Sequence, residues 1–245
     1  MVQRPVCLSI GGSDSCGGAG IQADLRMFAG HAVIGCSAIT ALTAQNPREI
    51  NRIEAVPLAQ LDAEMHAIFD YCEVAAVKTG MLLDADRIAV VAAALQQRHA
   101  HKALVIDPVM IASSGRRLLD APAVNTLLEA LVPLATLLTP NLDEAAVLLN
   151  RPVSDAIHDS RELVDLCGCA VLLKGGHAEG QVLQDILCDA SGNISMIEHP
   201  RLDWSEADAH GSGCRLAASI AANLAKGKAL ADSVQRAVAF CSPSK

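Results

Sequence analysis

Short apolar runs of β-strand character alternate with amphipathic helical runs along the chain, and that alternation leaves few folds open. The strand candidates are Val6 to Ile10, Val74 to Val77, Ala103 to Ile106, Thr136 to Leu138 and Ala170 to Leu173. Helices are expected over Ile21 to Ala29, Leu58 to Phe69, Asp84 to Arg98, Ala121 to Leu131, Asp143 to Leu149, Ser160 to Gly168 and Leu216 to Lys226. Strand, helix and strand in that order join by right-handed crossovers, which gives an α/β fold with a mostly parallel sheet. No linker, low-complexity segment or repeat interrupts the pattern, so residues 1–245 are expected to form one domain. The chain is 51% apolar with only five aromatics (one Trp, one Tyr, three Phe), which suits aliphatic layers between a sheet and helices on both faces.

Ligands of such a sheet bind beyond the C-terminal ends of its strands. Directly after the apolar runs come polar clusters: Lys78-Thr79-Gly80-Met81, Asp107-Pro108-Val109-Met110, Thr139-Pro140-Asn141-Leu142-Asp143-Glu144 and Lys174-Gly175-Gly176-His177. Singly they have ordinary readings: Asp107 as a turn cap, Glu144 as a first-turn carboxylate, Lys174 as a solvated strand-end lysine. Gathered at one sheet edge they supply carboxylates for Mg²⁺, a lysine and backbone donors for a moving phosphoryl group, and a base for an acceptor hydroxyl.

Two glycine-rich segments bear on phosphate binding. The loop Gly11 to Gly20 has neither the Gly-Lys-Ser/Thr ending of a P-loop nor the Gly-x-Gly-x-x-Gly order of dinucleotide folds. The run His210-Gly211-Ser212-Gly213-Cys214 leads into a helical stretch and reads as an anion pocket, where unpaired N–H groups and the helix dipole favour negative charge. The same field would favour thiolate over thiol at Cys214. Read alone, Gly211-Ser212-Gly213 is equally a tight turn and Cys214 a small buried residue.

A net charge of −8 with no basic run argues against a nucleic-acid partner. No apolar stretch approaches a membrane span and the first strand follows Met1 closely, so a cytoplasmic protein is expected. Nine cysteines without a Cys-x-x-Cys pair fit reduced thiols, and Cys167-Gly168-Cys169 lacks a matching pair for zinc.

The segments Gly11 to Gly20 with Ile21-Gln22-Ala23-Asp24, Ser37 to Asn46, Lys78 to Met81, Asp107 to Met110, Thr139 to Asn141, Lys174 to His177 and His210 to Cys214 together resemble the hydroxymethylpyrimidine/phosphomethylpyrimidine kinases of thiamine biosynthesis, in the ribokinase superfamily. The resemblance implies a ribokinase-like three-layer α/β/α sandwich, a homodimer, and ATP- and Mg²⁺-dependent phosphorylation of 4-amino-5-hydroxymethyl-2-methylpyrimidine and then of its monophosphate. It also implies that Asp24 and Gln45 hold the polar edge of the pyrimidine while Gly12, Met81 and Val109 shape its pocket. Asp107, Asn141 and Glu144 would serve the nucleotide phosphates and Mg²⁺, with Asp107 and Glu144 as the metal carboxylates. Lys174 would lie near the transferring phosphoryl, Gly211, Ser212 and Gly213 would donate to its oxygens, and Cys214 would be the base. Pyridoxine, with a similar ring and hydroxymethyl arm, is an alternative substrate, and a binding protein without catalysis is a second alternative.

The chain departs from the family pattern at Asp208, Ala209 and Arg215, and it ends at Lys245 without the usual C-terminal tail. Arg215 is expected to point to water, or else to bind a second phosphate. The missing tail is expected to expose part of the core or nucleotide site, unless a partner subunit covers it.

Overall fold

A computed structural model describes residues 4–99, 102–111, 118–175, 182–201, 205 and 210–241. Nine strands form one sheet: β1 Val6–Asp14, β2 Ile34–Gln45, β3 Ile50–Ala55, β4 Val74–Thr79, β5 Ala103–Ile106, β6 Leu137–Leu138, β7 Ala170–Leu173, β8 Val182–Cys188 and β9 Ile194–Pro200. Their order is β3-β2-β1-β4-β5-β6-β7-β8-β9. From β2 through β7 all neighbours are parallel, and β3, β8 and β9 extend the two edges in antiparallel fashion. The helices are α1 Gly20–Gly30, α2 Leu58–Tyr71, α3 Ala85–Arg98, α4 Ala121–Thr126, α5 Leu142–Leu149, α6 Ala156–Cys167, α7 Ser212–Ala225 and α8 Leu230–Cys241.

Both sheet faces are covered because the central strands are apolar on both sides. Leu8, Val77, Leu104, Leu138 and Val171 point to a core shared with α2, α3 and α6. Their neighbours Cys7, Ala76, Val105, Leu137 and Leu172 point to a second core built on α1, α7 and α8. This period of two is the pleat of the strand expressed as burial. Helix α7 can lie close on the sheet because Ala217, Ala218, Ala221 and Ala222 face inward and are buried.

The five expected strands are present, and β1 and β4 run on into the polar segments that follow them. Four strands lack a sequence expectation: β2, β3, β8 and β9. The helix expected from Ser160 begins at Ala156, because Asp155 accepts from the N–H groups of Ile157 and His158 and caps it earlier. The stretch Ala121 to Leu131 is α-helical to Thr126 and then widens into a π-helical turn over Leu127–Leu131. Helix α7 starts at Ser212, four residues before the expected Leu216, with Gly211 as its N-cap in the left-handed region at φ 76°. No helix among the described residues is long and apolar enough to cross a membrane, and all nine cysteines are free.

Candidate active site

The C-terminal ends of β1, β4, β5, β6 and β7 open onto one cleft of about 970 Å³, closed on the far side by the N-terminus of α7. Every expected site residue lines it, from Gly12, Asp24, Gln45, Met81 and Val109 at one end to Asn141 and Glu144 at the other. Lys174, Asp107, Cys214 and the glycine turn Gly211 to Gly213 line it as well.

The charged centre is the pair Lys174 Nζ to Asp107 Oδ1 at 3.0 Å, with the two side chains 13% and 4% exposed. Burial alone would discharge Lys174, but Asp107 and Glu144 outweigh it and raise its pKa. Asp107 is held below the usual carboxylate range against its own burial by Lys174 and Lys78, with hydrogen bonds from Lys174 and the Cys214 thiol. Gly213 packs against this pair: a Cβ there would sit 3.1 Å from Lys174 Nζ. The absence of a side chain thus brings the first turn of α7 onto the Lys174–Asp107 pair.

Asn141 and Glu144 form a reciprocal cap on α5. Asn141 Oδ1 accepts from the Glu144 N–H at 2.8 Å, and Glu144 Oε2 accepts from the Asn141 N–H at 2.9 Å. Glu144 Oε1 accepts from the Met110 N–H at 3.1 Å, so this buried carboxylate ties α5 to the end of β5. Burial pushes its pKa up; Lys174 opposes the rise and Asp107 adds to it. A β-bridge between Asn141 and Lys174 holds the two strand ends in register.

One expectation is corrected. The helix terminus does not keep Cys214 as a thiolate in the ligand-free protein. Burial pushes its pKa up to about 12; Lys78 and a backbone hydrogen bond from Gly20 lower it, while Asp107 and Asp24 raise it. Desolvation within the cleft and two nearby carboxylates outweigh the dipole, so the half-buried Cys214 rests as a thiol hydrogen-bonded to Asp107.

Beneath Cys214 lies an ion pair with no sequence expectation. Lys78 Nζ sits 3.0 and 2.9 Å from the two oxygens of Asp24, with both side chains 1% exposed. Ser9 Oγ donates to Asp24 Oδ2 at 2.6 Å. Burial disfavours charge on Lys78, but Asp24 followed by Cys214 and Asp107 raises its pKa and keeps it an ammonium. Burial also pushes the Asp24 pKa up, with Lys78 and the Ser9 hydrogen bond opposing the rise. A pyrimidine contact from Asp24 would have to share oxygens already engaged by Lys78 and Ser9.

The other end of the cleft is shaped by close packing. Gly12 lies against Met81, whose Cε a Cβ at Gly12 would strike. Val109 lines the cleft with φ 44°, an unfavourable conformation for a β-branched residue, next to the Met110 N–H that Glu144 anchors. Gln45 has its backbone N–H and C=O both bonded to Ser15 Oγ at 2.9 Å. Gln45's amide nitrogen lies 3.2 Å from His210 Nε2, and its Oε1 lies 3.3 Å from Thr43 Oγ1. Gly211 is pressed against the Gly18 carbonyl and Gly18 against the His210 ring, so the N-terminal glycine loop is clasped to the anion turn. The loop is therefore a fastening of the site, which its failure to match a P-loop had concealed.

Arg215 does not simply point to water: its Nη1 donates to the His210 carbonyl at 3.2 Å and braces the turn. Asp208, Ala209, Gly176 and His177 lie outside the described residues, as do residues 242–245.

At the β8–β9 edge, Asp185 Oδ1 accepts from the Gly175 N–H at 2.8 Å and its Oδ2 lies 3.2 Å from His199 Nε2. The Asp185 bond raises the His199 pKa, with burial opposing it. A raised folded-state pKa contributes stability that is full below the unfolded value near 6.5 and is lost as pH rises through the folded value. Replacing His199 with Gln is therefore expected to lower Tm more at pH 5.5 than at pH 8.5, by about 2–4 °C per kcal/mol lost; equal losses at both values in a thermal melt would contradict the charged pair.

A parallel sheet flanked by helices, with a lysine–aspartate pair set against a glycine turn at a helix N-terminus, defines a small-molecule kinase of ribokinase-like fold. Comparison with known proteins narrows the class: the phosphomethylpyrimidine kinase family model matches residues 14–244, and the chain belongs to that family. It is 42% identical to the hydroxymethylpyrimidine/phosphomethylpyrimidine kinase of Rhizobium meliloti over 96% of this chain and 88% of that one. With the enzyme of the same name from Escherichia coli K12 it shares 38% identity over 98% and 91%. Among solved structures, the phosphomethylpyrimidine kinase of Clostridium difficile superimposes with a TM-score of 0.84 at 32% identity, covering 97% of this chain and 98% of that one. A pyridoxal kinase of Bacillus subtilis, solved as an ADP complex, gives 0.87 at 32%, covering 97% and 90%.

Proposed function

We propose that this chain phosphorylates 4-amino-5-hydroxymethyl-2-methylpyrimidine with ATP and then phosphorylates the monophosphate to the diphosphate. The observation that carries the reading is the Lys174–Asp107 pair packed on Gly213 at the start of α7, in the cleft that also holds Gln45 and Met81. Donors at the α7 terminus, Gly211 to Gly213, receive the transferring phosphoryl oxygens, and Lys174 neutralises their charge. Gln45 and Asp24 hold the polar ring edge, and Met81 and Val109 shape the pocket, with Gly12 leaving room for the Met81 side chain that packs on it.

Cys214 takes the proton of the attacking hydroxyl. Because it rests as a thiol, its own proton passes to Asp107, which already accepts its hydrogen bond. Asp107, Glu144 and Asn141 are an oxygen-rich set suited to Mg²⁺ through water, each Glu144 oxygen keeping a lone pair beyond its backbone bond. The ion would supply charge neutralisation on the nucleotide phosphates. We further assign the chain as one kinase domain that works as a homodimer in the cytoplasm, in keeping with its free thiols.

The test is ATP consumption with product masses, using the hydroxymethylpyrimidine, its monophosphate and pyridoxine in parallel with Mg²⁺. Mono- and diphosphates of the pyrimidine are expected. Turnover of pyridoxine alone would move the chain to the vitamin B6 activity named for its structural neighbour, and silence with all three beside tight pyrimidine binding would leave a binding protein.

A further inference from the structure

His210 lines the cleft at 4% exposure, and phosphoryl transfer as derived above gives it no part. Its Nε2 lies 2.9 Å from Asp14 Oδ2 and 3.2 Å from the Gln45 amide nitrogen. Its Nδ1 is buried without a hydrogen-bond partner among the described residues. Asp14 is purely an acceptor here: Oδ1 takes the Cys16 N–H at 2.9 Å and Oδ2 the Ala19 N–H at 2.8 Å. The ring nitrogen facing it must therefore carry the hydrogen. An amide NH₂ group, itself only a donor, cannot bond that same Nε2–H.

The opposite end of the amide meets the mirror conflict. The Thr43 hydroxyl has one hydrogen, and it goes to the Ser13 carbonyl at 2.9 Å. The Gln45 oxygen 3.3 Å from Thr43 Oγ1 would need a second. A half-turn of the amide about its last bond removes both conflicts. The oxygen then accepts from His210 Nε2–H, shared with Asp14, and the nitrogen donates to Thr43.

We propose that the Asp14–His210 pair locks the Gln45 amide with its oxygen on the His210 side and its nitrogen on the Thr43 side, which makes His210 the positioning residue through which the cleft selects an exocyclic amine beside a ring nitrogen. So set, Gln45 keeps one acceptor lone pair and one N–H for a ligand. They complement the amine donor and ring-nitrogen acceptor of a 4-aminopyrimidine edge, the amine lying toward His210. This rests on the pyrimidine reading for its substrate, though the tautomer and the amide orientation do not. The glycine loop enforces the lock, since Gly18 seats the His210 ring and Ser15 pins the Gln45 backbone.

Two measurements decide it. In the ligand-free protein, long-range ¹H–¹⁵N spectra of the histidine rings, with His210 assigned by its loss in His210→Gln, should show hydrogen on Nε2; a neutral ring with hydrogen on Nδ1 would overturn the lock whatever the substrate proves to be. Next, KM is compared for the hydroxymethylpyrimidine and its analogue lacking the 4-amino group, in the wild type, His210→Gln and His210→Leu. The wild type should favour the amine, His210→Gln should keep most of that preference through its own amide N–H, and His210→Leu should lose roughly tenfold of it. Equal KM increases for both compounds in His210→Leu would reduce His210 to a structural residue and sink the proposal. A wild type that phosphorylates neither compound would refute the functional reading, while the ring spectra still settle the tautomer.

Discussion

Replacing Cys214 with alanine is expected to lower kcat by about 10²- to 10⁴-fold while leaving KM for the pyrimidine within a few-fold, the pattern of a lost general base. That range corresponds to roughly 3–5 kcal/mol of transition-state stabilisation. Cys214 stands in the first turn of α7 with its thiol hydrogen-bonded to Asp107, so one residue joins the anion cradle to the carboxylate. Lys174 and Lys78 hold the Asp107 pKa below the ordinary carboxylate range, so transfer of the thiol proton to it is uphill and completes only as the hydroxyl proton reaches the sulfur in the same step. An intervening thiol gives the proton a relay. Cys214→Asp should recover much of the rate, because a carboxylate accepts the proton without first losing one of its own. Single-turnover phosphoryl transfer is the measurement that isolates the step. A near-normal rate in Cys214→Ala would remove the thiol from the chemistry and leave proton removal to Asp107 or to water.

The centre of the sheet was legible because β4, β5 and β7 are buried on both faces and read as plain apolar runs. The edges were not. β3 has no fully buried residue, so no alternation marks it, and β2 carries Gly35, Cys36 and Ser37 in place of a clean pattern. The β8–β9 hairpin turns at Gly192 with φ 82°, a feature visible in sequence only as one glycine among many. At the site, each residue type at a strand end could be read, but not which groups pair. His210 meets Asp14 across 196 positions and Lys78 meets Asp24 across 54. Such contacts follow from strand order and from the clasp of Gly18 on the His210 ring, and no local spacing encodes them. The start of α7 was misplaced for a related reason. Its N-cap is a glycine with no capping side chain, so Gly-Ser-Gly-Cys reads as a loop although Gly213 and Cys214 are helical.

Lys78→Met is expected to destabilise the protein by about 3–5 kcal/mol, because it strands the Asp24 carboxylate at 1% exposure with only Ser9 as a partner. The cost arises from holding an uncompensated charge, or from protonating Asp24, whose pKa burial already raises, rather than from the lost attraction. Lys78→Met combined with Asp24→Asn should therefore recover most of it, since a neutral amide still accepts from Ser9 and leaves no buried charge. Urea unfolding monitored by far-ultraviolet circular dichroism measures both, and a double variant no more stable than the single one would show that packing, not charge, sets the loss. The double variant also separates two roles for Asp24. If its carboxylate serves only to hold Lys78 beneath Cys214, the refolded double variant should keep the wild-type KM for the pyrimidine and lose mainly kcat. A KM raised tenfold or more would instead place Asp24 in contact with the ring, sharing with the substrate the oxygens that Lys78 and Ser9 hold in the ligand-free protein.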